Sequence, residues 1–221
     1  MKTILLTAAI CLMVHTMKAG DVYIGPRVGI NFSTLRITNA NTPQMNTFNR
    51  DKRMFVGFNA SADFFIRFNN YFGFEPEFNL AMKGLKYVNG PNEHVTRVMQ
   101  IEMPMMLKAG YGKPNYFIYA SMGPYFAINT SGKEIARTPE NTLKSDLNFN
   151  GFRRGDVGMA FGIGGMHYMK RGAIDLEFRY NMGLLRQDKP VVNPNVKWSS
   201  YGLSFAYIFN VRHTKKVPAE K

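Results

Sequence analysis

The sequence has almost nothing that could form a covalent cross-link, because its single cysteine is Cys11. Cys11 lies in an apolar run, residues 3–14, that follows Lys2. Lys18 and Ala19 come shortly after that run. A charged start, a short apolar stretch and a small residue are typical of a secretory signal peptide. We predict cleavage after Ala19, which leaves a mature chain without disulfides and without a cysteine for a lipid anchor.

Long hydrophobic runs are also missing from the rest of the chain. A helix that spans a membrane needs about 20 consecutive apolar residues, and no stretch after residue 19 provides them. Apolar and polar residues alternate instead, as in Ile-Asp-Leu-Glu-Phe-Arg-Tyr-Asn-Met at 174–182. Alternate side chains of a strand point to opposite faces, so this pattern predicts β-strands with one apolar face. The segments that follow the pattern are 22–33, 54–67, 72–84, 96–110, 115–129, 155–168, 173–185 and 197–209.

The connections between these eight segments alternate in length. The short ones fall at 68–71, 111–114 and 169–172. The long ones fall at 34–53, 85–95, 130–154 and 186–196. Outer-membrane barrels combine an even number of strands with short periplasmic turns and longer outer loops. We therefore predict an all-β fold, an eight-stranded antiparallel up-and-down transmembrane β-barrel. Its predicted parts are a signal peptide at 1–19, a barrel domain at 20–210 and a polar periplasmic tail at 211–221.

The charged face of each strand cannot meet lipid, because a charge near the bilayer midplane costs about 2–4 kcal/mol. The apolar faces are therefore predicted to point outward and the charged faces inward. Eight strands leave an interior just wide enough for side chains, so we predict that an ionic network fills it. The predicted members of this network are Arg27, Asp63, Arg67, Glu75, Glu77, Lys83, Glu102, Lys108, Asp156, Asp175, Glu177 and Arg179.

Four prolines stand against this prediction, because proline removes a ladder hydrogen bond and is normally confined to edge strands and bulges. They are Pro26, Pro76, Pro104 and Pro124. A closed barrel has no edge strand, and the residues themselves suggest only that local bulges would accommodate the prolines.

Catalytic groups are scarce. Glu75 and Glu77 point to one face and could divide acid and base roles between them, but the interior bases are available to neutralise both. His94 is the histidine predicted to lie in an outer loop, and no nucleophile motif surrounds it. The sequence therefore predicts that the protein is not an enzyme and that it has no catalytic, cofactor-binding or metal-binding residues.

The chain is strongly basic, with a formal net charge of +13. An exported protein rarely meets nucleic acid, so we expect outer-membrane lipid as its partner and no nucleic acid. Within the basic outer loops, Arg50, Lys52 and Arg53 are candidates for contact with lipopolysaccharide phosphates. Ordinary solvated loops explain the same charge equally well. Protein partners at the periplasmic face or the outer loops are left open.

Several motifs occur in a fixed order along the chain. They are Gly29-Ile30-Asn31-Phe32-Ser33, Glu75-x-Glu77 leading to Lys83-Gly84, Ile101-Glu102-Met103-Pro104-Met105, Gly123-Pro124-Tyr125, Asp156-x-Gly158 with Gly162 and Gly164, and Asp175 to Leu184. In this order, and over nearly the whole mature chain, the sequence resembles the PorT family of outer-membrane β-barrel proteins of Bacteroidota. The resemblance implies an eight-stranded barrel and, through the family's namesake, a link to the biogenesis of type IX secretion. Pro104 and Pro124 stand where the family pattern also has proline.

Two functional hypotheses follow. The first is an integral outer-membrane protein without enzymatic activity, with a structural, assembly or surface-interaction role. The second is a barrel that binds or passes small solutes or lipid ligands. The predicted filled interior disfavours passage, since open channels are formed by barrels of about 16 or more strands. A soluble ligand-binding barrel would need polar outward faces, which these strands do not have.

Overall fold

The computed structural model describes residues 20–38, 50–147, 149, 153–187 and 195–212. The predicted signal peptide and residues 213–221 of the predicted tail lie outside this part of the chain. The described residues form nine β-strands: β1 (Val22–Thr38), β2 (Lys52–Arg67), β3 (Phe72–Asn89), β4 (Asn92–Lys113), β5 (Tyr116–Arg137), β6 (Thr142–Asp146), β7 (Gly155–Tyr168), β8 (Gly172–Gly183) and β9 (Asn195–Arg212). No helix in this part of the chain is long and apolar enough to cross a membrane.

Eight of the strands close into a ring. Leaving β6 aside, each strand pairs with the next one along the chain, so that β5 pairs with β7, and β9 pairs with β1 to complete the cylinder. All the pairings are antiparallel. β6 stands outside the ring and pairs only with the end of β5 beyond the barrel wall. The prediction of an eight-stranded antiparallel barrel is therefore confirmed.

The stagger of the strands fits a membrane barrel. Following cross-strand partners once around the ring from Val22 on β1 leads back to β1 at Phe32, ten residues further along. Ten residues at ~3.3 Å each, against eight strand spacings of ~4.8 Å, correspond to a strand tilt of about 40°. Transmembrane barrels have tilts in this range.

The apolar side of each strand faces outward, as predicted. A row of cross-strand neighbours shows this: Ile30, Phe58, Phe178 and Leu203 are 47%, 53%, 47% and 45% exposed. Outward positions next to this row are apolar and exposed too, among them Val28, Val56, Leu176 and Phe205. The opposite side of the same strands carries the charged residues, which are buried.

The strands extend further than the sequence alternation predicted. The prediction of a loop at 85–95 is wrong, because β3 and β4 continue through these residues into a hairpin. Its turn contains Gly90 at φ 58°. The loop predicted at 130–154 contains the end of β5 and all of β6. β9 ends at Arg212. The outer end of the barrel therefore has a sheet of β3, β4, β5 and β6 that rises above the wall.

The four prolines are accommodated without bulges. Around Pro26, the β1–β9 ladder has a gap between the partners Ile24–Phe209 and Arg27–Ala206, which keep one register. The register shift on this ladder lies at Val22/Tyr23, away from the proline. Each other proline coincides with one such gap: Pro76 with β2, Pro104 with β3 and Pro124 with β4. A strand N–H points toward one neighbour only, so proline removes one hydrogen bond and leaves the other ladder intact. The cause of the in-strand prolines, which the sequence left open, is therefore this one-sided loss of a hydrogen bond and not a bulge.

We expect Leu203→Arg to lower the free energy of unfolding by about 2–4 kcal/mol, because it places a charge in the middle of the lipid-facing belt. Leu143→Arg is the matched control, since Leu143 on β6 is 66% exposed but lies outside the ring. We expect a change under about 0.5 kcal/mol there. Urea titration in lipid vesicles, followed by the fluorescence of the single tryptophan, measures both. Equal losses in the two variants would contradict the assignment of the outward face to lipid.

Candidate functional site in the barrel interior

Arg27 lies at the centre of the barrel interior and is 1% exposed. Its guanidinium donates to Asp63 on β2, to Glu75 Oε1 on β3 at 3.0 Å and to Asp175 Oδ2 on β8 at 2.7 Å. Its Nη1 also lies 3.3 Å from Glu177 Oε2. The alternation of each strand turns these side chains inward, and the register brings them to one level. One cation from β1 therefore bridges three other strands.

Two further bases extend this cluster around the wall. Lys108 Nζ on β4 lies 2.7 Å from Glu75 Oε1 and 3.0 Å from Asp175 Oδ2. Arg179 on β8 donates to Glu77 Oε2 at 2.8 Å and to Glu177 Oε2 at 2.7 Å. We call Arg27, Lys108, Arg179 and the five carboxylates that they contact the ionic cluster. Its members are Arg27, Asp63, Glu75, Glu77, Lys108, Asp175, Glu177 and Arg179.

A smaller polar group lies nearer the outer end. Lys83 on β3 pairs with Glu102 on β4, and Asn79 Nδ2 donates to Glu102 Oε2 at 2.9 Å. Tyr125 donates its hydroxyl proton to Asp156 Oδ2 at 3.1 Å. Charge is therefore paired or hydrogen-bonded at this level too, as buried charge requires.

The structure places ten of the twelve predicted interior residues at 4% exposure or less, and the Arg179 side chain at 11%. Arg67 is the exception, because it lies at the periplasmic rim. Its guanidinium stacks 4.5 Å from the centre of the Tyr168 ring and donates to Asn70 Oδ1 at 2.9 Å. Glu75 and Glu77 do not form an isolated carboxylate pair, since each contacts a base of the ionic cluster.

Sequence reasoning missed the apolar layers that cover the ionic cluster. At the periplasmic end, aromatic and aliphatic side chains turn inward, among them Tyr23, Phe65, Phe117 and Ile208. The signal was present in the sequence: Phe65 stands between Asp63 and Arg67 on the same face. Such a layer separates the charges from periplasmic water.

The outer end has its own apolar layer. Trp198 on β9 is 1% exposed and packs with Leu35, Leu85 and Val98, and Leu147 packs against them from beyond β6. This layer again consists of inward positions on strands that otherwise carry polar residues there. The side chains of the interior therefore form three levels, with charge between two apolar layers.

A polar cavity lies between the ionic cluster and the outer apolar layer. Its lining includes Arg27, Arg179, Asn31, Asn79 and Glu102. Both polar atoms of the Asn31 amide are buried without a hydrogen-bond partner among the described residues. The cavity can therefore hold water or a small polar molecule that bonds to this amide.

Three interior acids lie close enough together to be considered as metal ligands. Glu75, Glu77 and Glu177 offer oxygens that lie within 4.8 Å of one another. The same three carboxylates already face Arg27, Lys108 and Arg179 at ion-pair distance. Three fixed cations around the acids repel a metal cation, so the residues present do not fit one.

The outer loop candidates lie at the start of β2. Arg50 is exposed and its Nε donates to Asp51 Oδ1 at 3.0 Å. Arg53 donates to the backbone carbonyl of Arg50 at 2.9 Å, and Lys52 Nζ lies 3.4 Å from the carbonyl oxygen of Leu35. His94 lies in the β3–β4 hairpin, exposed, opposite Tyr87 and Ala136.

A family model described as outer membrane protein beta-barrel domain matches residues 16–186. Solved structures with a similar fold include the following three. Ail, the attachment invasion locus protein of Yersinia pestis, is 15% identical, with 86% of this chain and 99% of that chain covered and a TM-score of 0.40. OprG from Pseudomonas aeruginosa is 13% identical, with 87% and 97% covered and a TM-score of 0.43. Neisserial surface protein A is 12% identical, with 85% and 96% covered and a TM-score of 0.42. No curated protein matches the chain.

We expect Arg27→Met to destabilise the barrel by about 3–5 kcal/mol, because it leaves several buried carboxylates without their shared cation. Arg27→Lys should be less damaging but still destabilising, since one ammonium cannot reach four carboxylates as a guanidinium does. The control is Arg50→Met, which removes an exposed ion pair worth about 0–1 kcal/mol. Urea titration in vesicles compares the three. A loss at Arg27 no larger than at Arg50 would show that the ionic cluster adds nothing to stability.

Proposed function

We propose that this protein, which belongs to the outer membrane protein beta-barrel domain family and lies in the bacterial outer membrane, acts there without enzymatic activity. Its barrel is a closed scaffold, and its contacts with other molecules are made by the outer loops and the periplasmic face. The role is structural, in assembly or in surface interaction.

The observation that carries this proposal is the filled interior. The ionic cluster occupies the middle of the barrel, and apolar layers that include Phe117 and Trp198 cover it at both ends. Passage of a solute would require the separation of several ion pairs inside a low-dielectric wall, each of which is costly to break. What remains accessible to a partner is the set of loops, rims and the raised outer sheet.

The resemblance to the PorT family supports a role in assembly, linked to type IX secretion. The residues that carry the resemblance, such as Glu102, Pro104 and Asp175, lie in the barrel wall or in its interior. They account for the barrel itself. A secretion partner would have to be recognised by residues outside these motifs.

The polar cavity supports the second candidate, a barrel that binds a small solute or lipid ligand. The unpartnered amide of Asn31 and the nearby Asn79 offer donors and acceptors to a small polar molecule. Within this candidate, binding is favoured over passage, because the cavity ends at Arg27 and Arg179 of the ionic cluster.

We expect the purified protein to be electrically silent in planar lipid bilayers, because the ionic cluster and both apolar layers close the lumen. An open porin in the same bilayer is the positive control. Heat-modifiable gel mobility of the same preparation shows that the barrel is folded. Steady single-channel openings of the folded protein would overturn the closed scaffold and favour passage.

We also propose that the rim formed by Arg50, Lys52 and Arg53 contacts lipopolysaccharide phosphates. Arg50 supports this best, because its side chain is 77% exposed. The triple change R50Q/K52Q/R53Q should weaken lipopolysaccharide binding in detergent, and more so at low salt, where screening is least. The matched control is K113Q/K170Q/R171Q, which removes three exposed charges at the opposite end of the barrel. Equal binding by the two triple variants would leave the rim without a role in lipopolysaccharide contact.

A further inference from the structure

Near the outer end of the barrel, the outward face of β3, β4 and β5 changes from apolar to charged within a few residues. On β4 the outward positions run from Leu107 through Met103 to Met99, and the next outward residue is Arg97. On β5 the outward face is apolar up to Ile128, and the first charged residue on that face is Lys133. This change marks the outer boundary of the lipid-facing belt on these strands.

A pocket of about 160 Å³ opens at this boundary on the outside of the wall. It is lined by Met82, Arg97, Val98, Met99, Ser131, Gly132 and Lys133. Its shape comes from a bulge on β5. Met99 pairs with Ser131 and Gln100 with Asn129, so Thr130 is left without an opposite residue. The Thr130 hydroxyl donates to the carbonyl oxygen of Met99 at 3.1 Å and fixes the bulge.

The two cations of the pocket are not engaged by acids. Lys86 and Arg137, on the same face of the raised sheet, both pair with Glu93, at 2.7 Å and 3.1 Å. Arg97 and Lys133 have no ion pair with any described residue, although Asp146 is the cross-strand neighbour of Lys133. Their charges are therefore available to a ligand.

The pocket has a cationic upper part and an apolar lower part. Arg97 and Lys133 supply a planar donor fork and an ammonium, which together suit a phosphate group. Met82 and Met99 continue the apolar belt directly below them, where acyl chains lie. A free phosphate ion would use only the upper half of this pocket, whereas a phosphorylated lipid uses both.

We propose that this pocket binds a phosphorylated lipid of the outer leaflet, with its phosphate between Arg97 and Lys133 and an acyl chain against Met82 and Met99. The proposal rests on the placement of the barrel in the outer membrane. It does not depend on the rim of Arg50, Lys52 and Arg53, nor on the closed lumen, so each of these can fail separately.

The test is native mass spectrometry of the full protein in detergent, titrated with a bisphosphorylated lipid A and with the same lipid after dephosphorylation. We expect R97Q and K133Q each to raise the apparent Kd for the phosphorylated lipid by about tenfold, the effect of losing one charged hydrogen bond. The matched control K86Q/R137Q removes the same charge from the same face but spares the pocket, and its Kd should stay within about twofold of wild type. Dephosphorylated lipid should bind wild type no better than R97Q/K133Q binds the phosphorylated lipid.

Three results would overturn the proposal. R97Q/K133Q could bind the phosphorylated lipid as wild type does, the control could lose as much affinity as the pocket variants, or inorganic phosphate could displace the lipid completely at equal concentration. Heat-modifiable mobility verifies folding of every variant. Ser131→Trp adds a test that keeps both charges, because an indole at the pocket lining should block the lipid and raise its Kd, and unchanged binding would count against the site.

Discussion

The interaction on which this structure depends is the contact of one buried guanidinium with four carboxylates. Arg27 belongs to β1, and its partners belong to β2, β3 and β8. Asp63 has Arg27 as its base in the cluster and Glu77 has Arg179, so removing either arginine leaves a buried acid with neither water nor a cation. The position of Arg27 along the barrel axis therefore has to match the positions of its carboxylate partners on β2, β3 and β8.

The barrel inverts the usual distribution of side chains. Its outer surface is apolar and gains little from burial against lipid, so its cohesion comes from the closed ladder of backbone hydrogen bonds and from the polar interior. The two apolar layers contribute in a different way. By covering the charges at the periplasmic and outer ends, they keep the ion pairs in a low-dielectric region, where each pair is stronger than in water. Closure, charge pairing and the exclusion of water thus support one another.

Much of this could be predicted from the sequence, because an alternation of period two assigns each residue to a face. Asp175, Glu177 and Arg179 are inward for that reason alone. The same rule does not give height along the barrel axis. It could not tell that Arg67 lies at the rim or that Phe65, an inward residue like its neighbours, covers the charges. It also missed the raised hairpin, since residues 85–95 alternate weakly once lipid no longer demands an apolar face. The sequence could not explain the prolines, because the direction of a single N–H is decided by the register, which the sequence does not show.

The pairing of β9 with β1 carries a consequence for how the molecule comes to exist. Val28 pairs with Phe205 across this seam, so the barrel can close only when the last strand of the chain meets the first. A sheet of these strands that had not closed would have two unpaired edges and an apolar surface, both of which promote aggregation. Contacts of such long sequence separation also form slowly. The closed barrel therefore implies that its unfolded precursor has to be protected from aggregation until the first and last strands have paired.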